Sequence, residues 1–198
     1  MLSSIHPFGE RSRNSSWGRT ISAYLVGSIA GGTTTGLAFG LIGEVVDGFV
    51  NARLGLTLLG VAAIVGVSAD LGVLGLGIPG PQRQVNERWL MAYRGWVYGA
   101  GFGFQLGLGL VTIVTTSSVW LTWFVAVMVG SWQLGALIGA AFGLARGVFI
   151  FAGARVDTPD RLRALHQSIA ERAVVVQRMA TAAVATTAVL ALTLGVTS

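Results

Sequence analysis

The chain has no cysteine and no lysine, and charge of either sign is scarce. Without cysteine there is no disulfide framework, no thiolate metal site and no thiol redox chemistry. Only 11% of the residues are charged, whereas a soluble surface needs about a quarter, so the chain cannot keep itself in water. His166 has no nearby His or Glu at ligand spacing, and the sequence holds no HExxH, no GxSxG and no paired acids within an apolar run. These absences argue against an intramembrane enzyme and imply no cofactor or metal. His166 reads as a surface residue.

What is present is apolar residue in long runs and glycine in register. Hydrophobic residues make up 53% of the 198, mean hydropathy is +0.72, and the uncharged runs of about twenty residues suffice for five or six spanning helices. The net charge of +5 comes from arginines scattered beside those runs, where they meet lipid phosphates. No basic stripe with interleaved aromatics is available for a nucleic acid. All thirteen basic residues being arginine, together with the abundant Gly, Ala and Val, points to a GC-rich bacterial genome and so to a multi-pass protein of a bacterial plasma membrane.

The stretch 93–119 carries glycines at 95, 99, 103 and 107, a bare stripe that lets another backbone approach closely. From Trp96 to Val114 it is uncharged, about 28 Å of helix, and enough to cross a bilayer core. A second ladder, Gly27, Gly31 or Gly32, Gly36 and Gly40, lies in a first helix over 21–43. A third, Gly135, Gly139, Gly143 and Gly147, lies in a helix over 133–153. Their plain reading is tight bundle packing.

Ahead of the first helix, residues 1–20 read as a polar cytoplasmic tail, with an uncleaved helix favoured over a signal peptide. Residues 21–198 form one transmembrane domain. Thr33, Thr34 and Thr35 sit in mid-span of its first helix, where hydroxyls bonding back one turn can bend or open it. A second helix over 54–77 contains Asp70, which faces either a bundle interior or the nearby interface. Pro79 and Pro81 stop that helix, and an arginine-rich amphipathic connector follows. Thr115, Thr116, Ser117 and Ser118 make a polar kink before a short apolar segment over 119–130. Arg146 lies inside the fifth run. Residues 154–172 form a polar link with an interfacial helix, and a last helix runs over 173–196.

An offset of about 82 residues sets Thr33–Thr35 against Thr115–Ser117, and Asp70 within a few residues of Arg146. This divides the chain into halves over about 21–113 and 114–197. Three helices in each would insert the second half upside down, an inverted repeat. The expected architecture is therefore an all-α polytopic bundle of about six helices, or five spans with a re-entrant hairpin over 115–131. Arginine counts of six against five leave the orientation nearly balanced for six spans, and five spans place the long link inside.

The two interrupted helices at matching points, GGTTTG in one and FGFQLGLG leading into VTTSS in the other, resemble the membrane part of the DsbD/CcdA thiol-transport family of the LysE-type exporter group. That family's cysteines, each set between prolines in the first and fourth helices, are missing here; Thr33–Thr35 and Thr115–Ser118 stand in the comparable places. Thiol electron transfer is excluded, while the scaffold implies an alternating-access cavity and transport of a small polar solute or ion. RQVNERWL, YRGWVYG and FGLARG also resemble uncharacterised actinobacterial membrane proteins. The candidate solute-contacting set is Thr33, Thr34, Thr35, Thr115, Thr116, Ser117, Ser118, Gln105, Asp70 and Arg146, with Asp70 and Arg146 either a gate or a structural pair and Gln105 either a contact or an interhelical hydrogen bond. The competing expectation is a non-catalytic accessory or assembly subunit with a membrane-protein partner, or a homodimer.

Overall fold

The computed structural model describes residues 5, 7–12, 14–73, 93–110 and 116–197. Its elements are α1 (Pro7–Ser12), α2 (Trp17–Asp47), α3 (Ala52–Asp70), α4 (Gly95–Leu108), α5 (Ser118–Met128), α6 (Trp132–Val148, extended by a 3-10 turn Phe149–Gly153) and α7 (Pro159–Thr197). Four of these rods are long and apolar enough to cross a membrane: α2, α3, α6 with its 3-10 turn, and α7. The protein is an all-helical membrane bundle.

Its axis is α2, and glycine decides what touches it. Gly27 and Gly31 face α4, while Gly32, Gly36 and Gly40 face α6. The approach is backbone to backbone: a methyl group on Gly32 would stand 2.1 Å from the Gly139 carbonyl oxygen, and one on Gly103 would stand 1.9 Å from that of Tyr24. No side chain longer than hydrogen fits there, which is why the four-residue spacing recurs on all three helices. Ser28 lies between the two contacts and donates its hydroxyl to the Gly143 carbonyl at 2.7 Å. Away from this axis, α3 and α7 pair with each other; Gly60 meets Leu192, Gly195 meets Thr57, and the Arg53 Nε–H donates to the Gly195 carbonyl.

The partners also fix direction. On α2, positions 27 and 31 meet 100 and 104, so α4 runs parallel to it; positions 32, 36 and 40 meet 139, 135 and 131, so α6 runs antiparallel. Phe39 stacks on Trp123 at 5.8 Å between ring centroids, and Gly43 packs on Val127, so α5 continues in the direction of α4. Together α4 and α5 make one crossing broken in the middle. Among the described residues the rods then run along the bundle in five passes: α2, α3, α4 with α5, α6, α7.

Several expectations change at this level. The first helix is not opened at Thr33–Thr35; it is one 31-residue rod. The third helix stops at Leu108 instead of running on to Val114, and the segment after Ser118 is the second half of the same crossing, neither a sixth span nor a hairpin. The polar link and last helix are one 39-residue rod from Pro159, because Ala170–Ala173, Gln177 and Arg178 are good helix formers on either side of Val174–Val176, whatever their hydropathy. Helices paired by the offset of about 82, α2 with the broken crossing and α3 with α6, run the same way, so no inversion relates them. With α4 and α5 sharing a crossing, an even number of passes separates each pair. The proposed stop at Pro79 and Pro81 lies outside the described residues. Residues 7–12, expected in a polar tail, form a helix docked on the bundle, with Ile5 and Glu10 buried.

Candidate functional site

The break between α4 and α5 leaves one helix end with unpaired carbonyls and another with unpaired N–H groups, at a depth where no water is on hand to bond them. Each end is met by a side chain from a different helix. Gly109, with φ of +69°, takes the left-handed turn that ends α4. The Thr35 hydroxyl on α2, shared with its own Gly31 carbonyl at 3.2 Å, donates to the Leu108 carbonyl at 3.3 Å. At the start of α5 the Asp70 carboxylate accepts the Ser117 N–H at 2.7 Å and the Ser117 hydroxyl at 2.9 Å. Thr181 of α7 donates to the same carboxylate at 3.2 Å. A carboxylate at a helix N-terminus also meets the positive end of the helix dipole. Asp70 thus joins α3, α5 and α7 at one point.

The depth of this point follows from the packing. Ser117 precedes Trp123 by six residues, so it comes level with about Thr33 on the parallel α2. Along α2 that level lies about 16 Å from Glu44 and about 21 Å from Arg19, deep in the uncharged stretch. Asp70 is half-buried there, at the end of α3 and bonded to groups of α5 and α7.

The other sequence candidates fall in separate places. Thr33, Thr34 and Thr35 fan round α2 at about 100° per residue, so Thr35 is buried against α4, Thr33 is half-buried and Thr34 is exposed. Their hydroxyls bond back to Ile29, Ala30 and Gly31, using capacity that a solute would need. Thr116 and Ser118 bond each other at 2.6 Å beside the break. Gln105 is half-buried on α4, one turn before the break. Arg146 stands elsewhere: its guanidinium lies 5.5 Å from the Phe142 ring centre, at the level of α2 where Gly147 meets Leu25 and Ser28. Asp70 and Arg146 are on different helices, Asp70 bonded to Ser117 and Thr181 and Arg146 beside Phe142. Thr115 lies outside the described residues.

Two features escaped sequence reasoning. Glu10 of α1 is fully buried and accepts from Thr20 Oγ1 at 2.8 Å and from the Tyr98 hydroxyl, tying α1 to α2 and α4. Pro7 at the first helical position followed by an acid was the available signal. The second is a groove of about 350 Å³ between α3, α5 and α7, lined by Phe39, Val65, Ser117, Trp120, Trp123 and Val184 among others. It reaches Ser117 but none of Thr33, Thr34 and Thr35. Among the described residues no cluster of three His, Cys, Asp or Glu is placed to hold a metal.

No family model and no solved structure matches this chain. A curated relative, methylamine utilization protein MauF of Methylophilus methylotrophus, is 29% identical over 150 residues, which is 73% of this chain and 52% of the relative. The chain spans about half the length of the relative it matches.

Proposed function

We propose that the protein is a non-catalytic accessory subunit of a bacterial plasma-membrane system, acting through a protein partner. The observation that carries this reading is the closed centre. On two faces of α2 the backbone of the next helix lies against it with no room for a methyl group, and the mid-span threonine hydroxyls are spent on their own helix. No polar path runs between α2, α4 and α6 among the described residues. The similarity to a protein named for methylamine utilization supports service to a metabolic system, and this chain corresponds to about half of that relative. From the level of Asp70, α7 extends about 33 Å toward its start, about 12 Å of it past the level of Arg19, with exposed ion pairs Arg161–Asp157 and Arg163–Asp160 on and beside its first turn. That arm is the surface offered to a partner.

A second reading, a small-solute or ion exporter, is favoured by one observation: a crossing broken at mid-depth with a carboxylate at the break is how transporters build a midplane site. There the contacts would be Asp70, Thr35 and Ser117. Purification in mild detergent separates the two. A stoichiometric partner, lost when 159–172 are replaced by a neutral helix, is the expected result. A monodisperse protein that carries solute into proteoliposomes, with flux abolished by Asp70→Asn, would overturn the accessory reading.

A further inference from the structure

We infer that the part of α7 between Glu171 and Met179 seats a membrane helix of the partner, one that carries a carboxylate level with Arg178. This deepens the accessory reading, on which it rests, by naming the partner's chemistry. Every residue of α7 from 169 to 179 is exposed. Farther along the rod Val184, Ala188, Ala191 and Gly195 are buried, with Gly60 meeting Leu192 and Gly66 meeting Val184. The uncovered part still lies at membrane depth. Thr181 shares the level of Asp70, so Arg178, three residues earlier, lies about 16 Å inside the level of Arg19, deeper than its own side chain is long.

An exposed cation at that depth faces hydrocarbon, whereas ionisable groups within a membrane pair with one another or line a polar cavity. Among the described residues neither Arg178 nor Glu171 has a hydrogen bond or an ion pair. The two stand seven residues apart, so they share one face of the rod with Val174 and Val175 between them. A second copy of the chain is a poor occupant, because a two-fold axis along the membrane normal sets each level against itself, and so Arg178 against Arg178. A carboxylate on the covering helix answers that charge with a bidentate pair, which hydrocarbon strengthens. The valines give the same helix an apolar ridge to pack on. Glu171, nearer the arginine-rich end, fits a basic residue two turns from the partner's acid.

The probe is a synthetic transmembrane helix of leucine and alanine with glutamate at its centre, compared with the same helix carrying glutamine, and the full chain in phosphatidylcholine liposomes. Energy transfer from a dye on Thr158→Cys to one on the peptide reads association, since the chain has no other cysteine. The glutamate helix is expected to bind about tenfold more tightly than the glutamine helix. That preference is lost in Arg178→Gln, an exposed change expected to leave the melting temperature unaltered, and it turns toward an arginine-bearing helix in Arg178→Glu. Equal binding of the two helices, the result if lipid phosphate or another part of the chain already answers Arg178, would overturn the inference. So would a glutamate preference that survives Arg178→Gln. Energy transfer between donor- and acceptor-labelled copies that exceeds random mixing and falls in Arg178→Gln would overturn it too, by making a second copy the occupant. Loss of a co-purified partner on replacing 159–172 is a separate measurement, so the accessory reading stands or falls independently of these results.

Discussion

Asp70 holds three donors at a depth where water is not at hand to replace it, and the kind of replacement tells which donors matter. Asp70→Ala leaves the Ser117 N–H and two hydroxyls without their acceptor, and is expected to destabilise the bundle by about 2–4 kcal/mol. Asp70→Asn keeps one oxygen for the Ser117 N–H and should cost about half as much. Thermal unfolding of the two variants in the same detergent checks the order, and equal losses would mean that the carboxylate's second oxygen contributes nothing. Asp70 was legible in the sequence because an acid in an apolar run is rare. Glu10 was not, because in a segment rich in Ser and Arg a buried acid looks like any other polar residue; only its fit against Thr20 and Tyr98 sets it apart.

At the level of elements, glycine spacing carried most of the information. Three ladders foretold three helices with bare stripes, and α2, α4 and α6 do meet along them. The contact distances make a graded prediction. Gly32→Ala and Gly103→Ala each force a methyl into backbone and are expected to cost about 1–3 kcal/mol, whereas Gly18→Ala, with nothing within 4 Å, should be neutral or slightly stabilising. Chemical unfolding followed by circular dichroism distinguishes them. Where the rods begin and end was less legible, for a physical reason. Hydropathy reports the surroundings of a residue, while the backbone answers to propensity and capping. Threonines that bond back to carbonyls can sit in an unbroken α2, and charged helix formers extend α7 far beyond its apolar part. The break fell at Gly109, one of several glycines in the same run, and spacing alone could not single it out.

For the whole molecule, the five passes of the described rods gather most of the described charge at one end. The starts of α2, α4 and α7 and the finish of α6 lie there, and among the described arginines Arg11, Arg19, Arg94, Arg155, Arg161 and Arg163 flank that end, while Arg53 alone flanks the other. The positive-inside rule predicts that in a bacterial plasma membrane the arginine-rich end would face the cytoplasm. The cysteine-free sequence makes this simple to check. With single cysteines at Asn51 and Thr158, a membrane-impermeant maleimide is expected to label Asn51→Cys in spheroplasts and Thr158→Cys only after permeabilisation. The reverse pattern would invert the topology. In the sequence the orientation was nearly balanced, because the balance depends on whether α4 and α5 count as one crossing or two.

The shared carboxylate joining α7 to α5 has a mechanical consequence. Thr181 and Ser117 grip the same group from two sides, so a partner that pulls on the protruding arm of α7 draws on α5 through a polar clasp, while α4, fastened to α2 by Thr35 and glycine, stays behind. Strain from outside the bilayer would therefore concentrate on the short joint between two half-rods, where one side chain decides whether they move together or apart.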